Sequence, residues 1–106
     1  MTMRKTQSDV FISQVIRERA QKLCRIIFDI TGKDVFSKSR THEYVVARMM
    51  VIYQLRLDGL TEYSIGQIIK KDHTTVHYLI KKMKDVLKTP GYDVEREIWK
   101  EFKKRI

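Results

Sequence analysis

An all-α fold, a compact domain of five to six helices, is predicted by three features of the sequence. Apolar residues recur three and four apart through most of the chain, no segment shows the strict alternation of a half-buried strand, and Gly, Pro and small polar residues punctuate it at helix-length intervals. The 106 residues suit one domain, and 42% apolar with 9% aromatic residues is enough for a small core. No repeat or low-complexity segment is visible.

Residues 1–8 are polar and expected to be loose; residues 9–106 form the domain. With Ser8 or Asp9 as cap, Ile12, Ile16, Ala20, Leu23, Ile27 and Ile30 make one stripe of a helix over 9–30, leaving Arg17, Arg19, Lys22 and Arg25 off it. Thr31-Gly32-Lys33 ends that helix, Val35 and Phe36 turn inward as one apolar turn, and Lys38-Ser39-Arg40 stays outside. Thr41 caps a helix running to about Asp58, and Val45, Val46, Met49, Met50, Ile52, Tyr53, Leu55 and Leu57 cover so much of it that it should be the central one. Gly59 stops it. Thr61 caps a short helix with Tyr63, Ile65, Ile68 and Ile69 inward, and Val76, Ile80, Met83 and Leu87 mark the core stripe of the next, with Leu79 and Val86 alongside. Thr89-Pro90-Gly91 breaks the chain before a last helix from about Val94, which carries Val94, Ile98, Phe102 and Ile106 four apart, with Trp99 beside them.

The short helix, sharp turn and longer helix of residues 61–88 read as a helix-turn-helix. Its turn offers Lys70 and Lys71, then Asp72 as N-cap, then Thr74 and Thr75 at a helix mouth whose first N–H groups lack internal partners. Opposite the core stripe lie Thr74, Tyr78, Lys81 and Asp85, flanked by Thr75 and Lys82 on one side and His77 and Lys84 on the other. Twenty-two Lys and Arg against thirteen Asp and Glu give a net charge of +9 and favour a polyanionic partner, nucleic acid or an anionic membrane. A membrane partner is disfavoured, because the cations flank a helix-turn-helix instead of lining one lipid-facing helix. No run of 18 apolar residues and no signal-peptide core is present, so a cytoplasmic, nucleoid-associated protein is expected.

Cys24 is the single cysteine, which excludes an intrachain disulfide and a thiolate zinc cluster; it reads as a small buried residue. His73 and His77 stand four apart, but Thr74 occupies the place of the glutamate in a His-Glu-x-x-His site and only Asp72 is near as a further ligand, so no metal is expected. His42 reads as an exposed first-turn residue. With no Ser-His-Asp set, glycine-rich phosphate loop or carboxylate pair, neither a cofactor nor enzyme activity is expected.

Lys38-Ser39-Arg40, Ala47-Arg48 opening a long apolar helix, Ile65-Gly66 and the uninterrupted Asp72-His73-Thr74-Thr75-Val76 resemble the C-terminal DNA-binding domain of the bacterial replication initiator DnaA, in the Trp-repressor-like helix-turn-helix group. The resemblance spans roughly residues 9–106. It implies that Arg40 enters a minor groove while Asp72, His73, Thr74 and Thr75 meet the major groove and nearby phosphates. Lys70, Lys71, Lys81 and Lys82 are then expected on phosphates. Three departures stand out. Lys70-Lys71 replaces a Gly-Gly-Arg turn and is one residue shorter, Tyr78 stands where a His is common, and the chain has no room for an ATPase module. The implied function is sequence-specific binding of double-stranded DNA at initiator-type sites, in a regulatory, bacterial or phage-associated role and not as an initiator by itself. A protein-interaction adaptor docking on a replication initiator or another replication protein is the competing reading. The bland alternative makes Asp72 only a cap, Thr74 and Thr75 ordinary first-turn residues and the lysines a solvated face.

Overall fold

The computed structural model describes the backbone of residues 2–106 and the side chains of residues 14–106. Among these residues it contains five α-helices and no strand: α1 (Thr2–Thr31), α2 (His42–Leu57), α3 (Glu62–Ile69), α4 (His73–Lys88) and α5 (Asp93–Arg105). α1 starts at Thr2 and not near Asp9, so Ser8 and Asp9 fall inside the helix instead of capping it; the side chain of Ile12 lies outside the described side chains. Within the described part, Ala20, Leu23 and Ile27 are buried on the expected stripe, with Ile16 and Ile30 half-buried. Thr31 closes the helix by donating its hydroxyl to the Ile27 carbonyl at 2.7 Å, and Gly32 N–H reaches Phe28 O at 2.7 Å.

The sequence from Val46 to Ile52 is buried without interruption, and α2 packs against α1, α3 and α4. Its end satisfies two carbonyls that the helix leaves unpaired. Gly59 N–H donates to Arg56 O and Leu60 N–H to Leu55 O, the paired bonds of a Schellman stop, with Gly59 at φ 103° where an L side chain would be strained. Thr61 caps α3 by accepting from Ser64 N–H at 3.1 Å. Thr41 begins α2 without a side-chain cap bond, because its hydroxyl is engaged with Ser39 instead.

α5 packs on α1 and α4 and inserts Phe102, fully buried, next to Trp99, whose ring lies between Tyr53 and Phe102 at centroid distances of 5.5 and 5.8 Å. Arg96 fastens it by donating to the Val86 and Thr89 carbonyls at the end of α4. Cys24 is half-buried against the core, and burial, aided by Asp34, pushes its thiol up to about 12, which leaves it an inert thiol at neutral pH.

Four residues expected inside are exposed: Phe36 (46%), Leu57 (53%), Tyr63 (60%) and Val94 (70%). Each sits at the edge of an element. Asp34 accepts from Phe36 N–H and its carbonyl from Ser37 N–H, a turn so tight that only Val35 reaches the core. Leu57 lies about 200° around α2 from the buried Leu55, and Tyr63 and Val94 fall in first turns, with their side chains on the solvent side.

Candidate nucleic-acid interface

The turn between α3 and α4 dictates where the polar residues go. Lys70 closes α3 in the left-handed region at φ 63° and ψ 45°, which costs a non-glycine residue roughly 1–2 kcal/mol. Lys71 N–H donates to the Gly66 carbonyl at 2.9 Å. A Cβ on Gly66 would stand 2.6 Å from the Lys71 carbonyl oxygen and 3.6 Å from His73 N, so glycine is what lets the turn fold back on α3. The Lys70-Lys71 turn thus depends on one left-handed lysine and one absent side chain.

Asp72 then starts α4. Its carboxylate accepts from the Thr74 N–H and the Thr74 hydroxyl, both at 3.0 Å, and these bonds, the backbone one first, hold Asp72 below the usual carboxylate range. The capping role is therefore real, and it also fixes Thr74. With its hydroxyl proton directed at Asp72, Thr74 offers lone pairs and a methyl group to anything approaching the helix mouth. His73, Thr74, Thr75, Tyr78 and Lys81 are exposed, while Val76, Leu79, Ile80, Met83 and Val86 are buried on the other side.

Lys82 is held more closely than its expected phosphate role supposed. Its ammonium donates to the Tyr92 hydroxyl at 3.1 Å and stands 5.3 Å from the Tyr92 ring centre, and the bond to Tyr92 raises its pKa. Arg40 is exposed, and the carboxylate one turn beyond it, Glu43, pairs with Lys33 instead. Arg40, Tyr78 and Lys82 lie on the rim of one hollow of about 330 Å³ between α2, α4 and the start of α5, whose floor includes the buried Val46, Met49, Leu79 and Val86. Lys70 and Lys71 line another, of about 640 Å³, with Lys38 and Arg17, and Lys71, Asp72 and His73 share a third. Arg40 thus lies beside Tyr78 and Lys82 of α4, and the turn lysines lie beside Lys38, two residues before Arg40.

His77 faces away from any shared role with His73. Its Nδ1 meets both oxygens of Glu62 at 2.9 and 3.1 Å and so ties α4 to α3, whereas His73 Nδ1 lies 3.4 Å from Asp72. Among the described residues no three His, Cys, Asp or Glu side chains converge as a metal site, and no helix is long and apolar enough to cross a membrane. His42 is exposed, as expected, yet its Nε2 is 2.8 Å from Glu95 and links α2 to α5.

Sequence reasoning missed Arg48. It is 4% exposed on α2, and its guanidinium donates to the carbonyls of Val35 (2.9 Å), Ser37 and Ser39 (2.7 Å). Burial lowers its pKa while the Asp34 carboxylate opposes the shift. The available signal was an arginine inside the apolar run from Val45 to Ile52, where a charge must have partners.

A capped helix presenting threonines, a histidine and lysines from a helix-turn-helix, with an exposed arginine beside it, defines a helix-turn-helix DNA-binding domain. Residues 18–83 match the family described as bacterial dnaA protein helix-turn-helix, and the chain belongs to that family. The match covers α1 from Glu18 onward, all of α2 and α3 and α4 through Met83, leaving α5 outside it. No solved structure matches the chain. Family membership makes double-stranded DNA the partner, bound through the helix-turn-helix by a domain whose family is DNA-binding and not catalytic.

Proposed function

We propose that the protein binds initiator-type (DnaA-box-type) sites sequence-specifically, with the start of α4 in the major groove and Arg40 in the adjoining minor groove. The observation that carries this reading is the placement of Arg40 in one hollow with Tyr78 and Lys82 of α4, the helix that exposes His73, Thr74 and Thr75 in its first turn. Threonine hydroxyls and methyls suit base edges, and an arginine gains most in the narrow minor groove of A·T-rich sequence. Asp72 orders the helix mouth, and Lys70, Lys71, Lys81 and Lys82 neutralise phosphates, Lys82 by leaving or sharing Tyr92. In the cell such a protein marks or competes for initiator sites, in a regulatory or mobile-element role.

The test is selection of bound sequences from random duplex DNA, followed by titration of the selected site against salt. Enrichment of one motif and a steep log–log salt slope are expected. Docking on a replication initiator or other replication protein is the second reading, favoured by Val15 and Phe28 on α1 and Val94 on α5, which are 71%, 50% and 70% exposed. An unselective duplex pool, together with partner binding that ignores salt, would move the function to protein interaction.

A further inference from the structure

The segment that carries Arg40 has little core of its own. Of residues 35–40 only Val35 is buried, and no helix or strand includes them. Short-range bonds shape it locally: Ser39 N–H donates to Ser37 Oγ at 3.1 Å and Thr41 N–H to Ser39 Oγ at 3.3 Å. Beyond Val35 in the core, the hydrogen bonds that join it to α2 come from Arg48, whose Nε and Nη2 reach the carbonyls of residues 35, 37 and 39, one after another up to the residue before Arg40. A planar guanidinium presents several N–H donors in fixed directions, so one side chain can satisfy three carbonyls, whereas a lysine ammonium is a compact point donor on a flexible stem.

We infer that Arg48 is a positioning residue for minor-groove recognition: by clamping the 35–39 backbone to α2 it holds the Arg40 Cα where the side chain meets the groove beside the helix-turn-helix. This inference rests on the proposed groove-reading role of Arg40. Arg48 itself, 4% exposed and turned toward the loop carbonyls, does not contact DNA. Its contribution is to order, before binding, a stretch of backbone that would otherwise lose its freedom only in the complex, which is the general cost a preordered loop avoids.

The experiment compares wild type, Arg48→Lys, Arg40→Ala and the double variant on two duplexes that share a selected core site and differ in an A·T-rich or G·C-rich flank. The wild type should prefer the A·T flank by about tenfold, the size of one good groove contact. Arg48→Lys should abolish most of that preference while keeping discrimination between the core site and random duplex, and adding it to Arg40→Ala should change the preference no further. In the free protein, amide hydrogen exchange at Ser37, Ser39 and Thr41 should quicken in Arg48→Lys by about tenfold or more with α2 and α4 unchanged. A full A·T preference in Arg48→Lys overturns the inference while leaving Arg40's role standing. So does an equal loss on every duplex that follows a lowered melting temperature, since that is stability alone. If Arg40→Ala keeps the preference, the groove-reading role of Arg40 fails, and the positioning role falls with it. Should Arg48→Lys not fold, the wild type still decides, because the Arg48 Nε proton must exchange slowly in the free protein and rapid exchange rejects the clamp.

Discussion

Replacing Lys70 separates the backbone of the turn from its charge. Lys70 sits at φ 63°, where a side chain costs roughly 1–2 kcal/mol and glycine nothing, while glycine gives back about 0.4–1 kcal/mol through a freer unfolded chain. Lys70→Gly should therefore be about 1 kcal/mol more stable than Lys70→Ala, which keeps the strain. For a chain of this size that is a rise of about 4 °C in melting temperature. Both variants remove the same cation, so both should weaken specific and random duplexes alike and lower the log–log salt slope by about one. Paired thermal melts and salt titrations of the two variants measure the two effects independently. An alanine variant as stable as the glycine variant would refute the left-handed turn, and an unchanged slope in both would remove Lys70 from the phosphate contacts.

Gly66→Ala should cost roughly 1–3 kcal/mol in denaturant unfolding, because the new methyl would meet the Lys71 carbonyl oxygen at 2.6 Å and backbone must move; a neutral result would contradict the close approach of the turn to α3. Thr74→Ala should lose about 1–3 kcal/mol on a selected site and almost nothing on random duplex, and equal losses on both would exclude Thr74 from base recognition. Glu95 is held below its ordinary value of 4.5, first by the bond from His42. The ionised form thus stabilises the fold above that pH, and the contribution is lost as pH falls through the lower folded value. Glu95→Gln should flatten the decline of the urea midpoint below about pH 4.5, and an identical acid limb in both proteins would deny the pair any part in it.

Helix spacing and caps were legible because they depend on neighbours in sequence. Thr61, Asp72 and Gly59 act at helix ends as their local chemistry requires, and the stripe from Val76 to Val86 is buried as its period implies. The exposed faces of Phe36, Leu57, Tyr63 and Val94 were not legible, since a stripe continues in sequence past the point where the partner helix stops. Much the same separates Asp72, Thr74 and Thr75, whose placement at a helix mouth follows from local order, from Lys82, whose contact with Tyr92 depends on α5 folding back against α4. Nor does any spacing rule connect Arg48 with carbonyls 9 to 13 residues earlier.

On the proposed reading, the two readers of DNA share one support. α2 packs directly on α3 and α4, which sets the direction of the recognition helix, and the same helix sends Arg48 to the loop that ends at Arg40. α3 and α4 also pack on each other, with the His77–Glu62 contact across them, so on this reading the helix-turn-helix is carried as a unit on α2. Relative motion of helix and loop would have to pass through buried Arg48 or through the uninterrupted buried run Val46–Ile52, and neither offers a soft joint. The spacing between the two contacted grooves is accordingly a property of α2, and sites whose core and A·T flank are displaced by one base pair should lose the Arg40 contribution while keeping that of Thr74. Shifting the flank in single base-pair steps tests this, and a preference that follows the flank through every step would show that Arg40 is carried on a loop that moves independently of α2.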